Sequence, residues 1–117
     1  MTSPISELST ATLRQALTGL DLRQRAIADN VANLETPGFL AKQVDFEDSL
    51  RAAAASRDPA RMRVDVSRSL APTRLNGNNV NIDNELMANS EVSLRQQLAI
   101  NALNAEYSLL RTAITGR

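Results

Sequence analysis

Leu13, Leu20, Ile27 and Leu34 recur every seventh position, and Leu17, Gln24 and Val31 fall between them at alternating spacings of four and three. That period draws one stripe along a helix and is also the seam of a coiled coil. Gln24 interrupts the apolar run, so this seam alone leaves both readings open. Ser9 or Thr10 is placed to cap the start. Pro37 disfavours helical geometry at Thr36 and should end the helix near Leu34 or Glu35. Gly19 should weaken its middle by roughly 1 kcal/mol. Thr36-Pro37-Gly38-Phe39 then reads as a type II turn, with proline presetting the second position and glycine accepting positive φ at the third.

The middle has a different character. Asp45 can cap a short helix with Asp48 in its first turn and Phe46, Leu50, Ala53 and Ala54 on one face, running to about Ser56. From Arg57 to Asn79 there is little apolar area, and Pro59, Pro72 and Gly77 punctuate the chain. Only Met62, Val64 and Val66 alternate, which predicts a loop with one short strand.

The last third is helical again, from about Asp83 to Thr115, with Asn81 or Asp83 as cap and Glu85 placed where the helix dipole favours negative charge. One stripe joins Ile100, Leu103, Tyr107, Leu110 and Ile114; a second joins Leu94, Leu98, Ala102, Ala105, Leu109 and Ala113. Their centres lie roughly 140° apart around the helix, too far for one partner helix to cover both. The two terminal helices should be about 40 and 50 Å long. A compact globule of this chain length would be only about 35 Å across. An elongated hairpin follows, with one apolar stripe left for other chains.

Composition narrows the chemistry. The 117 residues contain no His and no Cys, which removes the imidazole base, the cysteine nucleophile, disulfides and the usual zinc and iron–sulfur ligands. Thirteen basic and 13 acidic side chains cancel, removing the general electrostatic case for nucleic acid or an anionic membrane. No run approaches the roughly 18 to 20 apolar residues of a bilayer span. The stretch Met1 to Thr12 lacks the basic start, apolar core and cleavage site of a secretory signal.

Candidate sites are weighed against local explanations. Asn30 and Asn33 share a face at the end of the first helix, where amides cap. Asn76-Gly77-Asn78-Asn79 through Glu85 fails as a calcium loop because glycine is missing at its sixth position and acids at its first and third. Asp45 with Asp48, and Asp83 with Glu85, fit helix starts better than acid–base chemistry. Lys42 has no neighbour that marks it as a nucleophile. Arg51, Arg57, Arg61, Arg63, Arg68 and Arg74 make the middle locally basic, but no aromatic is interleaved, which favours a solvated connector over an anion site. No catalytic, cofactor or metal site is expected.

Asp29-Asn30-Val31-Ala32-Asn33-Leu34-Glu35-Thr36-Pro37-Gly38-Phe39 resembles the Asn-x-x-Asn-x-x-Thr-Pro-Gly-aromatic signature of the bacterial flagellar axial proteins. Val44-Asp45-Phe46, Gly77-Asn78-Asn79-Val80-Asn81-Ile82-Asp83 and the short length narrow the resemblance to the basal-body rod proteins, and within them the proximal-rod branch. Phe39 stands where the family often has tyrosine.

The resemblance implies an all-α fold. Its two long terminal helices would pair as an elongated coiled-coil hairpin, joined by a short helix and a largely irregular middle, with divisions at 1–36, 37–80 and 81–117. It also implies a structural, non-enzymatic subunit of a hollow drive shaft, placed in the periplasmic part of the basal body by type III export. Asn30, Asn33, Thr36, Pro37, Gly38 and Phe39 carry the axial motif. Leu13, Leu17, Leu20, Ile27, Val31, Leu94, Leu98, Ile100, Leu103, Tyr107, Leu110 and Ile114 are the candidate packing residues. Implied partners are further copies, other rod proteins, the rod-base adaptor and MS ring, and the export apparatus, with no nucleic acid and no direct membrane insertion. The alternative is a soluble helical adaptor or export chaperone that closes its own bundle.

Overall fold

A computed structural model describes residues 4–116. Met1 to Ser3 of the stretch read for a leader, and Arg117, lie outside the described residues, as do those ends of the terminal divisions. In chain order the elements are α1 (Pro4–Ala32), β1 (Lys42–Asp45), α2 (Glu47–Ala55), a 3-10 turn (Pro59–Arg61), β2 (Asp65–Arg68) and α3 (Ile82–Thr115).

α1 and α3 lie antiparallel. Cross-links from Ser6 to Glu106 (3.1 Å), Gln24 to Gln96 (3.3 Å) and Asn30 to Glu85 (3.1 Å) join them near both ends and in the middle. The molecule measures 64 × 26 × 14 Å, with a radius of gyration of 18.0 Å, against about 13 Å for a compact chain of this length. The long, thin shape expected from helix length is thus observed.

Several local expectations are corrected. The chain is mostly helical but not all-α: β1 and β2 form a two-stranded antiparallel sheet, with Lys42 opposite Arg68, Val44 opposite Val66 and Asp45 opposite Asp65. β1 escaped notice because only Val44 of its four residues is apolar and buried. The strand expected over 62–66 is real but lies at 65–68, since Met62 and Val64 pack onto the core from an extended lead-in. α1 begins at Pro4, not at Ser9 or Thr10, and ends at Ala32. Asp45 is the last residue of β1 and does not cap α2; Phe46 occupies the N-cap without a side-chain bond. At α3 the cap is Asn81, whose side chain accepts from the Asn84 N–H at 3.2 Å.

The core is small and central. Leu20, Ala26 and Ile27 of α1, Val44, Phe46 and Leu50 from the sheet and α2, and Val92 of α3 form it, flanked by Ala16, Met62, Val64 and Ala88. Gly19 lies beneath Phe46, which explains a glycine in mid-helix: the aromatic ring occupies the space a side chain would need. Towards the free ends, among the described residues, no side chain before Gly19 or after Ala99 on the two long helices is fully buried.

Candidate functional site

Where α1 ends, its last turn meets the loop that leads into α3, and asparagine side chains bind the two together. The Asn30 side-chain amide pairs with the backbone of Lys42 as a neighbouring strand would: Lys42 N–H donates to Oδ1 (2.8 Å), and Nδ2 donates to Lys42 O (3.0 Å) and to Glu85 (3.1 Å). Asn33 Nδ2 donates to Asp29 O (2.8 Å), while its Oδ1 accepts from the Thr36 hydroxyl (3.0 Å). Phe39 N–H donates to Thr36 O (3.3 Å) and Gly38 has φ +74°, so the Thr-Pro-Gly segment forms the expected turn. Phe39 itself carries the Arg68 guanidinium on its ring, 5.1 Å from the centroid. A ring alone suffices for that contact.

The second half of this loop lock comes from residues 74–80. Asn78 is fully buried; its Nδ2 donates to both Asn33 O and Thr36 O (each 2.8 Å), and its Oδ1 accepts from Val80 N–H (2.8 Å). Asn79 Oδ1 accepts from Ala41 N–H (2.7 Å), and its Nδ2 donates to Ser69 O and Ala71 O. Arg74 donates to Val80 O (2.8 Å) and to Leu34 O. Backbone bonds Gly38 N–H to Asn76 O (2.8 Å) and Asn79 N–H to Phe39 O (3.2 Å) complete the junction. These amides supply backbone N–H groups such as those of Lys42, Ala41 and Val80 with acceptors and give carbonyls such as Asn33 O and Thr36 O a second donor beside their backbone one.

A charged cluster fixes the other side of the core. Arg23 makes a two-pronged contact with Glu47 (2.6 Å to each oxygen), donates to Val44 O and lies over Phe46 at 4.9 Å. Arg95 reaches Glu47 at 2.9 Å. The Arg23 guanidinium holds the Glu47 carboxyl down to about 2 and is itself raised by it. Lys42, bonded to Asp29 at 2.6 Å, lowers that carboxyl too. Burial pushes Glu85 up against the lowering effect of Asn30.

The expected packing residues divide between two surfaces. Leu20 and Ile27 are buried, Leu13, Leu17, Leu103, Tyr107 and Leu110 are half-buried, and Arg14 of α1 bonds the Tyr107 hydroxyl of α3. Val31, Leu94, Leu98, Ile100 and Ile114 are exposed; Leu94 and Leu98 are 61% and 59% accessible, and Leu109 joins them on the open side of α3. Val92 and Ala99 are the buried residues of α3, and neither belonged to an expected stripe. Their spacing with Leu103 is seven and four, but Gln96 between them broke the apolar pattern. Asn78, Asn79, Arg74 and the Arg23–Glu47 pair were also missed. Asparagine-rich density at 76–79 was the available signal for the first two.

Among the described residues, no group of three or more acidic side chains could hold a metal, and no helix is long and apolar enough to cross a membrane.

Comparison with known proteins points to one family. The family model for flagella basal body rod proteins matches residues 11–39, which span most of α1 and the Thr-Pro-Gly turn. The chain is 29% identical to flagellar basal body rod protein FlgB of Bacillus subtilis, covering 89% of this chain and 91% of that one. It is 31% identical to FlgB of Cereibacter sphaeroides, over 87% and 90% of the two chains. To FlgB of Escherichia coli it is 27% identical, over 72% and 76%. With relatives 29% and 31% identical matched over about nine tenths of their length, the chain belongs to the FlgB family of flagellar basal-body rod proteins, structural proteins and not enzymes.

Proposed function

We propose that this chain enters the shaft by laying the open face of α3 against helices of neighbouring subunits, copies of itself and other rod proteins among them, in coiled-coil packing. The observation that carries this reading is the exposure of Leu94, Leu98 and Leu109 while α1 already covers another side of the same helix. Burying what remains exposed of these three leucines is worth roughly 3 to 6 kcal/mol, about 60% of the 1.5 to 3 kcal/mol that full burial of each would give. A contact between unlike faces that does not close into a ring propagates as a helix, the geometry of a tube.

The free ends of the hairpin order fully on docking. Their support is the absence of fully buried side chains outside the central core, because helix stability comes mainly from packing an apolar face. The Thr36–Phe39 turn and α2 brace neighbours. Placement in the periplasmic part of the rod, contact with the rod-base adaptor and MS ring, and delivery by type III export rest on the family resemblance.

The test is the double variant Leu94→Asp, Leu98→Asp in a cell whose own copy is deleted. Both positions are open, so the purified variant should keep the circular dichroism and melting of the parent. Rod assembly and swimming should be lost. Normal swimming with the variant would show that this face is not the assembly surface.

A further inference from the structure

Asn76-Gly77 takes no part in the proposed assembly face, yet the fold demands both residues. Gly77 has φ +81°, and a Cβ there would lie 3.3 Å from the Gly38 Cα, where two loop backbones cross. Asn76 Oδ1 accepts from Asn78 N–H at 3.1 Å, a local side-chain turn typical of asparagine. The loop lock thus selects the dipeptide whose backbone nitrogen is least shielded from its neighbour's side-chain carbonyl.

We propose that Asn76 is a latent deamidation site, silenced by the closed loop and released when the loop opens. In the reaction the Gly77 backbone nitrogen gives its proton to solvent and attacks Asn76 Cγ. The bond from Cγ to Nδ2 breaks, Nδ2 takes a proton and leaves as ammonia, and a five-membered succinimide remains. Water then opens either carbonyl, giving aspartate or isoaspartate; overall one water is consumed and one ammonia is released.

The closed loop opposes the first step. Gly77 N–H donates to Arg74 O (2.9 Å), so the attacking nitrogen is tied, and Arg74 N–H donates in turn to Asn78 O (2.8 Å). The Arg74 guanidinium is anchored on Val80 O and Leu34 O. Isoaspartate inserts a methylene into the backbone and adds a negative charge. The lengthened main chain now runs through Cγ and leaves the former Asn76 carbonyl, the partner of Gly38 N–H, as a free carboxylate outside it, so a damaged chain closes the junction less readily. Isoaspartate at 76 therefore marks subunits that have spent time with the loop open.

The full chain, incubated at mildly alkaline pH folded or in urea, is digested with trypsin, and the peptide spanning 75–95 (69–95 in Arg74→Ala) is sequenced by mass spectrometry for the mass gain at Asn76. Folded chain should react at least about tenfold more slowly than unfolded chain, because reaction requires local opening. Arg74→Ala, which removes both guanidinium bonds, should react at an intermediate rate, at least about fivefold faster than the parent, the factor that one hydrogen bond alone contributes to an opening equilibrium. Gly77 amide exchange, followed in the parent chain through sub-denaturing urea, should rise in parallel with deamidation, and this holds the test together if Arg74→Ala does not fold. Equal rates folded and unfolded, no reaction at Asn76 in either, a folded Arg74→Ala no faster than the parent, or deamidation that ignores Gly77 exchange would each overturn the proposal.

Discussion

The Phe46 ring rests on Gly19 so closely that a Cβ at position 19 would lie 2.5 to 2.6 Å from three ring carbons. Two effects of Gly19→Ala therefore oppose each other. Helix propensity favours alanine by about 1 kcal/mol, while forcing a methyl into a filled core costs about 1 to 3 kcal/mol. At contacts this short the clash wins, and a net loss of about 1 to 2 kcal/mol is expected in urea unfolding. Combining it with Phe46→Leu should cost less than the sum of the two single changes, since the residues share one space.

Asn78 offers a sharper case. Asn78→Ala leaves the buried Val80 N–H without its acceptor and removes the second donor from Asn33 O and Thr36 O, at an expected cost of about 1 to 3 kcal/mol. Asn78→Asp keeps the shape but points a carboxylate at two carbonyl oxygens, and should be worse than alanine at neutral pH and recover in acid. Thermal midpoints at pH 7 and pH 4 separate the two.

Glu47 and Glu85 should give stability opposite dependences on pH. The folded Glu47 carboxyl sits at about 2 against an ordinary 4.5, so its contribution is complete above 4.5 and is lost as pH falls from there towards 2. Glu85 is shifted upward by burial, so its neutral form suits the fold; the benefit is full below the ordinary value and is lost as pH rises through the raised one. Glu47→Gln should lower the melting temperature at pH 7 and lose its effect near pH 2. Glu85→Gln, which keeps an acceptor for Asn30, should raise it at pH 7 and lose that advantage in acid.

Arg57 ends α2 with φ +61°, while Arg57 N–H bonds Ala54 O and Asp58 N–H bonds Ala53 O. This is the helix-ending motif in which glycine is usual. Arg57→Gly should stabilise the chain by about 1 kcal/mol, because a left-handed backbone costs an ordinary residue about that much. Unchanged urea unfolding would show that the arginine stem contributes as much as the strain removes.

The long helices were legible because their periods repeat over many turns, and helices of that length do not fit inside a compact globule of this chain. The sheet was not: β1 and β2 have four residues each, and one apolar position in a strand leaves no alternation to read. The α1-facing side of α3 was read partly wrong because Gln96 bonds Gln24 inside the contact and Ala99 is small, while exposed Ile100 made a better-looking stripe. Asn30 and Asn33 stood out by spacing, but their partners at Lys42, Glu85 and Asn78 are distant in sequence. Local capping therefore explained them without a junction.

The shortest dimension of the molecule is 14 Å, little more than the roughly 10 to 12 Å diameter of one helix with its side chains. Bending stiffness of a plank grows as the cube of its thickness, so a single subunit is compliant. Glued face to face, as the open side of α3 would allow, the same planks become a laminate, whose rigidity belongs to the stack. A shaft that carries torque can then be made from parts too flexible to carry it alone.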